Sequence, residues 1–151
     1  MRRVIAPPKT AVAARALAGA CAALLGVTLG ACAKTVSTGA FQGEQREVAK
    51  SIANLQSDVT AGDQRKICSN DLASEVVARL DAARGGCRAV IKEQLSEIDS
   101  SDLRIDSIQL SVAGAQRTAS ARVRSVYGGK TTSSTLSLLK QGGKWKISAV
   151  S

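Results

Sequence analysis

The chain has 151 residues, with 21 Lys and Arg against 12 Asp and Glu, no histidine, four cysteines, and Phe41, Tyr127 and Trp145 as its only aromatics. Without histidine or a Cys-x-x-Cys spacing it offers no familiar metal-ligand set. With so few aromatics for bases to stack on, a formal net charge of +9 does not read as nucleic-acid binding, so no metal, no cofactor and no nucleic acid are expected.

Arg2, Arg3, Lys9 and Arg15 make a cationic start, and residues 16–31 are uncharged and small or apolar. This is the layout of a secretory signal, and it is too short for a comfortable membrane span. Leu29-Gly30-Ala31-Cys32 closes it and resembles the lipobox of bacterial lipoproteins. That resemblance implies that the Cys32 thiol takes a diacylglyceryl group, that residues 1–31 are removed, and that the protein is held by its acyl chains, palmitate among them. The place would be the outer face of the cytoplasmic membrane or another envelope membrane. An ordinary cleaved signal with an incidental Cys leaves the position of Cys32 unexplained. The Arg2-Arg3 pair hints at twin-arginine export, but its neighbours fit general secretion better. After cleavage seventeen basic residues face twelve acidic ones, so much of the basicity belongs to targeting. The remaining excess suits an anionic membrane surface, at about 1 kcal/mol per nearby Lys or Arg, and equally suits solubility.

Cys21 leaves with the signal, and Cys68 and Cys87 remain in the body. Two thiols in an exported domain point to one disulfide, worth roughly 3 kcal/mol for a loop of about 20 residues on the chain-entropy account. Residues 32–40 are the acylated Cys and a small, polar tether; its eight flexible residues reach on the order of 16 Å. Residues 41–151 make one domain, large enough for a single core and too small for two.

Val48, Ile52, Leu55 and Val59 recur at helical spacing and predict an amphipathic helix from about Glu44 to Thr60, ended by Ala61-Gly62-Asp63. A short turn through Ile67 and Cys68 follows. Asn70 or Asp71 can cap a second helix that turns Leu72, Val76, Val77 and Leu80 inward and stops at Gly85-Gly86. Val90, Ile91, Leu95 and Ile98 mark a third helix. A Cys68–Cys87 bond would staple this helical layer to itself.

After Ser100-Ser101 the apolar period becomes strand-like. Leu103 and Ile105 alternate, then Ile108, Leu110 and Val112 alternate in the other phase, which predicts a bulge near Asp106-Ser107. Ala115, Ala119, Ala121 and Val123 continue on one face, with Gln116, Thr118, Arg122 and Arg124 on the other. Leu136 and Leu138, then Trp145, Ile147 and Ala149, repeat the pattern, with turns at Gly114, Gly128-Gly129 and Gln141-Gly142-Gly143. The expectation is an α+β domain, its N-terminal helices packed on one face of a four-stranded antiparallel meander.

A helix opening with Phe41, Gly43 and Glu44, the run Ala61-Gly62-Asp63 before a Cys-bearing turn, Gly86-Cys87, and the ending Gly143-Lys144-Trp145-Lys146-Ile147 resemble the nuclear transport factor 2-like superfamily with its polyketide-cyclase-like domains. More narrowly they resemble its small secreted lipoproteins in GC-rich bacteria, over residues 41–151. The resemblance implies a curved sheet wrapped around a long helix into a cone, a pocket at the open end, and a homodimer through the sheet. Catalytic members move a proton with Asp, Glu or His. Here histidine is missing, and most acids fall on helix surfaces or, as Asp99, Asp102 and Asp106, at the start of the first strand. A cone lined by Ala, Val, Leu and Ser binds apolar matter or is filled by side chains, with Val48, Ile52, Val123 and Trp145 as the candidate contact region. Gly129-Lys130-Thr131 imitates a phosphate-binding loop, but it joins two strands and lacks the leading Gly, so it is a hairpin turn. Arg117, Arg122 and Arg124 read as a solvated sheet face rather than a basic stripe.

The functional expectation is a lipid-anchored, extracytoplasmic binding or interaction module without catalytic residues, holding a hydrophobic small molecule or an envelope protein. The alternatives are a small cyclase- or isomerase-like enzyme, in which Asp102 and Asp106 are the acids to watch, and an accessory subunit of an envelope complex. A buried carboxylate in polar company within a concave pocket would favour the enzyme.

Overall fold

Helix α1 (Gly43–Thr60) in the computed structural model follows the predicted apolar spacing, with Val48, Ala49 and Ile52 fully buried and Leu55 and Val59 packed against the core at its margin. The structure describes residues 36–96, 102–127 and 130–151. The signal with Cys21, the acylation candidate Cys32, the start of the tether, Ile98, Asp99, Ser100-Ser101 and the Gly128-Gly129 turn lie outside these residues. Burial of side chains the size of Val48 and Ile52 stabilises by roughly 1.5–3 kcal/mol each. Glu44 in the first turn complements the helix dipole. At the other end Ala61 N–H donates to the Ser57 carbonyl and Gly62 N–H to that of Val59, with Gly62 at φ +64°, a left-handed stop that glycine adopts without strain.

The turn predicted through Ile67 and Cys68 is more helical than expected. Asp63 accepts from Lys66 N–H at 3.0 Å and caps the single turn α2 (Gln64–Lys66). A π-helical turn (Ile67–Asp71) follows, closed by Leu72 N–H on the Ile67 carbonyl. Leu72, expected on the next helix, is instead extended: it bridges Ile147 in parallel, and Ala73 N–H donates to the Ile147 carbonyl at 2.8 Å. Helix α3 (Ser74–Asp81) then starts without a cap from Asn70 or Asp71. The Gln141 amide does that work from the β3–β4 hairpin, accepting from Ser74 N–H at 3.0 Å and donating to Ser74 Oγ at 2.9 Å. Asp81 accepts from Cys87 N–H at the first turn of α4 (Gly86–Ser96). Cys68 and Cys87 are joined in a disulfide across a Cα separation of 6.2 Å, tying the π-turn to α4.

Strands β1 (Asp102–Ala113), β2 (Gln116–Tyr127), β3 (Lys130–Gln141) and β4 (Lys144–Val150) form one antiparallel sheet in the order β1-β2-β3-β4. The architecture is α+β, as expected. The register shifts between Ile105 and Ser107, placing the predicted bulge at Asp106. A second shift, where Ser137 pairs Ala149 and Leu138 pairs Ile147, was not predicted. It turns Ala149 outward to solvent, while Ala115 is exposed in the β1–β2 turn. Ile108, Ala119, Ala121, Val123, Leu136, Leu138, Trp145 and Ile147 form the inner face and close on Val48 and Ile52. The opposite face carries Ser107, Gln109, Ser120, Arg122, Arg124 and Ser133, all exposed.

Candidate functional site

The four residues expected to line a pocket are packed into the core. Val48 and Ile52 are 0% exposed, Val123 2% and Trp145 3%, all in one cluster with Leu138 and Ile147. Val48 and Ile52 of α1 share one buried cluster with Ile108 of β1, Ala119, Ala121 and Val123 of β2, and Trp145 and Ile147 of β4. The apolar contact region expected there is therefore interior packing, and Trp145 also borders a surface concavity.

That concavity, an open cleft of about 460 Å³, lies between the second half of α1, the π-turn and the β3–β4 hairpin. Ser51, Asn54 and Ser57 recur every three residues along one face of α1, joined by Asp58. Lys66, Asn70 and Asp71 come from the turn that the disulfide anchors, and Gly143, Lys144 and Trp145 from the hairpin.

Asp71 is the unusual member, at 7% exposure. Burial pushes its carboxyl up to about 7, the charge of Asp58 and a hydrogen bond to that side chain push the same way, and Lys146 and Lys66 oppose them. Asp71 therefore keeps a proton through the mildly acidic range in which an ordinary aspartate has lost its own. Lys66 lies 3.6 Å from Asp58, while Lys146 spends its ammonium on the Ser69 carbonyl at 2.9 Å. Two buried polar atoms here have no hydrogen-bond partner, Asp71 Oδ2 and Trp145 Nε1. Such atoms typically cost about 1–3 kcal/mol each.

Asp106 is forked by Arg124, with contacts of 2.6–2.8 Å, on an exposed surface above a second concavity that Asp102 also lines. The three arginines do not make a stripe. Arg117 turns toward α1 and meets Glu44 at 2.6 Å, whereas Arg122 and Arg124 lie on the other sheet face. Lys140 also reaches Glu44, at 2.7 Å, and stands 5.5 Å from the Trp145 ring centre, where cation and indole attract. Hydrogen bonds from Lys140 and Arg117 hold the Glu44 carboxyl below its ordinary range.

Sequence reasoning assigned Asp71 to a helix cap and so missed it as a site residue. One signal was available: Asp71 stands three positions after Cys68, in a turn that a disulfide would hold still. Among the described residues no group of three or more His, Cys, Asp and Glu side chains is placed to hold a metal ion.

The sequence matches no protein-family model and no curated protein. Solved structures resembling the chain include a protein of the NTF2-like family from Streptomyces avermitilis, 12% identical, with a TM-score of 0.47 over 69% of this chain and 90% of the other. Another is an NTF-2 like protein of unknown function from Shewanella oneidensis, 10% identical, with a TM-score of 0.46 over 72% of this chain and 97% of the other.

Proposed function

We propose that the chain is a lipid-anchored, extracytoplasmic module that works by holding a ligand or partner near the membrane, without turnover. The observation that carries this reading is the filled interior: Val48, Ile52, Val123, Leu138 and Trp145 occupy the space a reaction chamber inside the cone would need. What remains for function is surface, above all the cleft around Asp71. The Leu29-Gly30-Ala31-Cys32 tetrapeptide supports the anchor, and the Cys68–Cys87 disulfide supports an oxidising, exported setting. Stable retention takes two acyl signals, which a diacylglyceryl group provides. Intact-mass analysis of the membrane fraction should find lipid on the peptide beginning at Cys32, and Cys32→Ala should move the protein to the soluble exported fraction. An unmodified Cys32 in membrane-derived protein would defeat the anchor.

A second reading, a small acid-base enzyme, is favoured by one observation. The Asp71 carboxyl sits in a cleft with a pKa of about 7, where a group both gives and takes protons near neutrality. Turnover abolished by Asp71→Asn in a folded protein would select it.

A further inference from the structure

The floor of the cleft presents one acceptor and one donor that nothing in the fold satisfies. Asp71 Oδ2 can accept, Trp145 Nε1–H can only donate, and both side chains are more than nine-tenths buried. Around them Ser51, Asn54, Ser57 and Asn70 add hydroxyls and amides that work in both directions. Of the charged groups there, Asp58 pairs with Lys66 at 3.6 Å, and Lys144 comes from the hairpin. The open groups are thus a hydrogen-bond acceptor and a donor rather than a cluster of like charges, and an apolar ligand finds little beyond the indole. A hydroxyl can donate to a carboxyl and accept from an indole N–H without carrying charge, and several on one molecule would also meet the surrounding amides and hydroxyls.

We infer that this cleft binds a neutral, hydroxyl-rich small molecule of the saccharide or polyol class, one hydroxyl donating to Asp71 and another accepting from Trp145. The inference rests on the reading that the chain works by holding a ligand, and it names the class. A cleft of about 460 Å³ is within the usual span for small-molecule sites, roughly 300–1,000 Å³. Because the two floor atoms are sealed from bulk water, engagement shifts the side chains above them and changes the surroundings of the indole.

Trp145 is the only tryptophan in the chain and borders the cleft, so tryptophan fluorescence comes from a single position beside it. The exported, disulfide-bonded protein would be titrated with glucose, N-acetylglucosamine and myo-inositol, with putrescine and inorganic phosphate as charged comparators. The expected result is a saturable change with at least one hydroxyl-rich probe at millimolar concentration. It should weaken about tenfold or more in Asp71→Ala and in Asn54→Ala. Asn54 is exposed, so that variant keeps the test decisive if Asp71→Ala does not fold. No response to any hydroxyl-rich probe, a response only to putrescine or phosphate, or binding unchanged in the variants would overturn the assignment. Chemical conversion of a bound probe would instead keep the site and overturn function by occupancy, and neither outcome bears on the lipid at Cys32.

Discussion

Two concave regions of nearly equal size, about 460 and 450 Å³, are each lined by two aspartates, and one from each, Asp71 and Asp106, are held in different chemical settings. Asp106 sits on a bulge that turns it out of the sheet, where solvent and the fork of Arg124 surround it. Asp71 sits under α1, removed from water and set against a second carboxyl. The first arrangement is an exposed ion pair. The second suits a held proton, since burial and a like charge both oppose ionisation. Volume thus says little about what a hollow in a protein surface can do, and the neighbours of its polar atoms say much more.

The sharpest perturbation of the Asp71 side is Cys68→Ser. Losing the bond should cost about 2–5 kcal/mol, read as a lower urea midpoint under non-reducing conditions. An unchanged midpoint would mean that the π-turn is held by its packing alone. Asp71→Asn should come next, and its effect depends on pH. Below pH 3.8 the carboxyl is protonated folded or unfolded; between 3.8 and about 7 the unfolded chain has released a proton that the folded one keeps. Stability of the natural chain therefore falls across that window and levels off above it. An asparagine side chain cannot ionise, so the variant should gain on the natural chain as pH rises through the window, by a few kcal/mol at pH 8. Parallel stability curves for the two proteins would contradict the held proton. Asp106→Asn should do least, because exposed ion pairs contribute little. The thermal midpoint should fall by no more than a few degrees, and a loss as large as that of Cys68→Ser would erase the distinction between the two regions.

The fold was legible wherever a period was kept or visibly broken. The spacing of Val48, Ile52, Leu55 and Val59 located α1 to within one residue, and the phase change between Ile105 and Ile108 located the bulge. The second bulge was hidden because Trp145, Ile147 and Ala149 alternate without interruption. There the register is set across strands, with Ser148 Oγ donating to the Ser137 carbonyl. The cleft was harder to foresee, since three separate stretches of chain meet to form it. Asp71 follows Asn70 and precedes an apolar run, the local pattern of a cap; its actual role depends on Asp58, Lys146 and burial under α1. Local periodicity carries secondary structure, whereas a perturbed carboxyl is a property of the assembled surroundings.

The short parallel bridge of Leu72 and Ala73 to Ile147 lies along the outer side of β4. It interrupts that edge at Ile147, where a further strand would have to pair, while β1 is the opposite margin of the sheet. A strand edge is a template for pairing with another chain. Two copies joined β1 to β1 would leave outward only their β4 edges, each interrupted at Ile147, so strand addition beyond a pair is disfavoured.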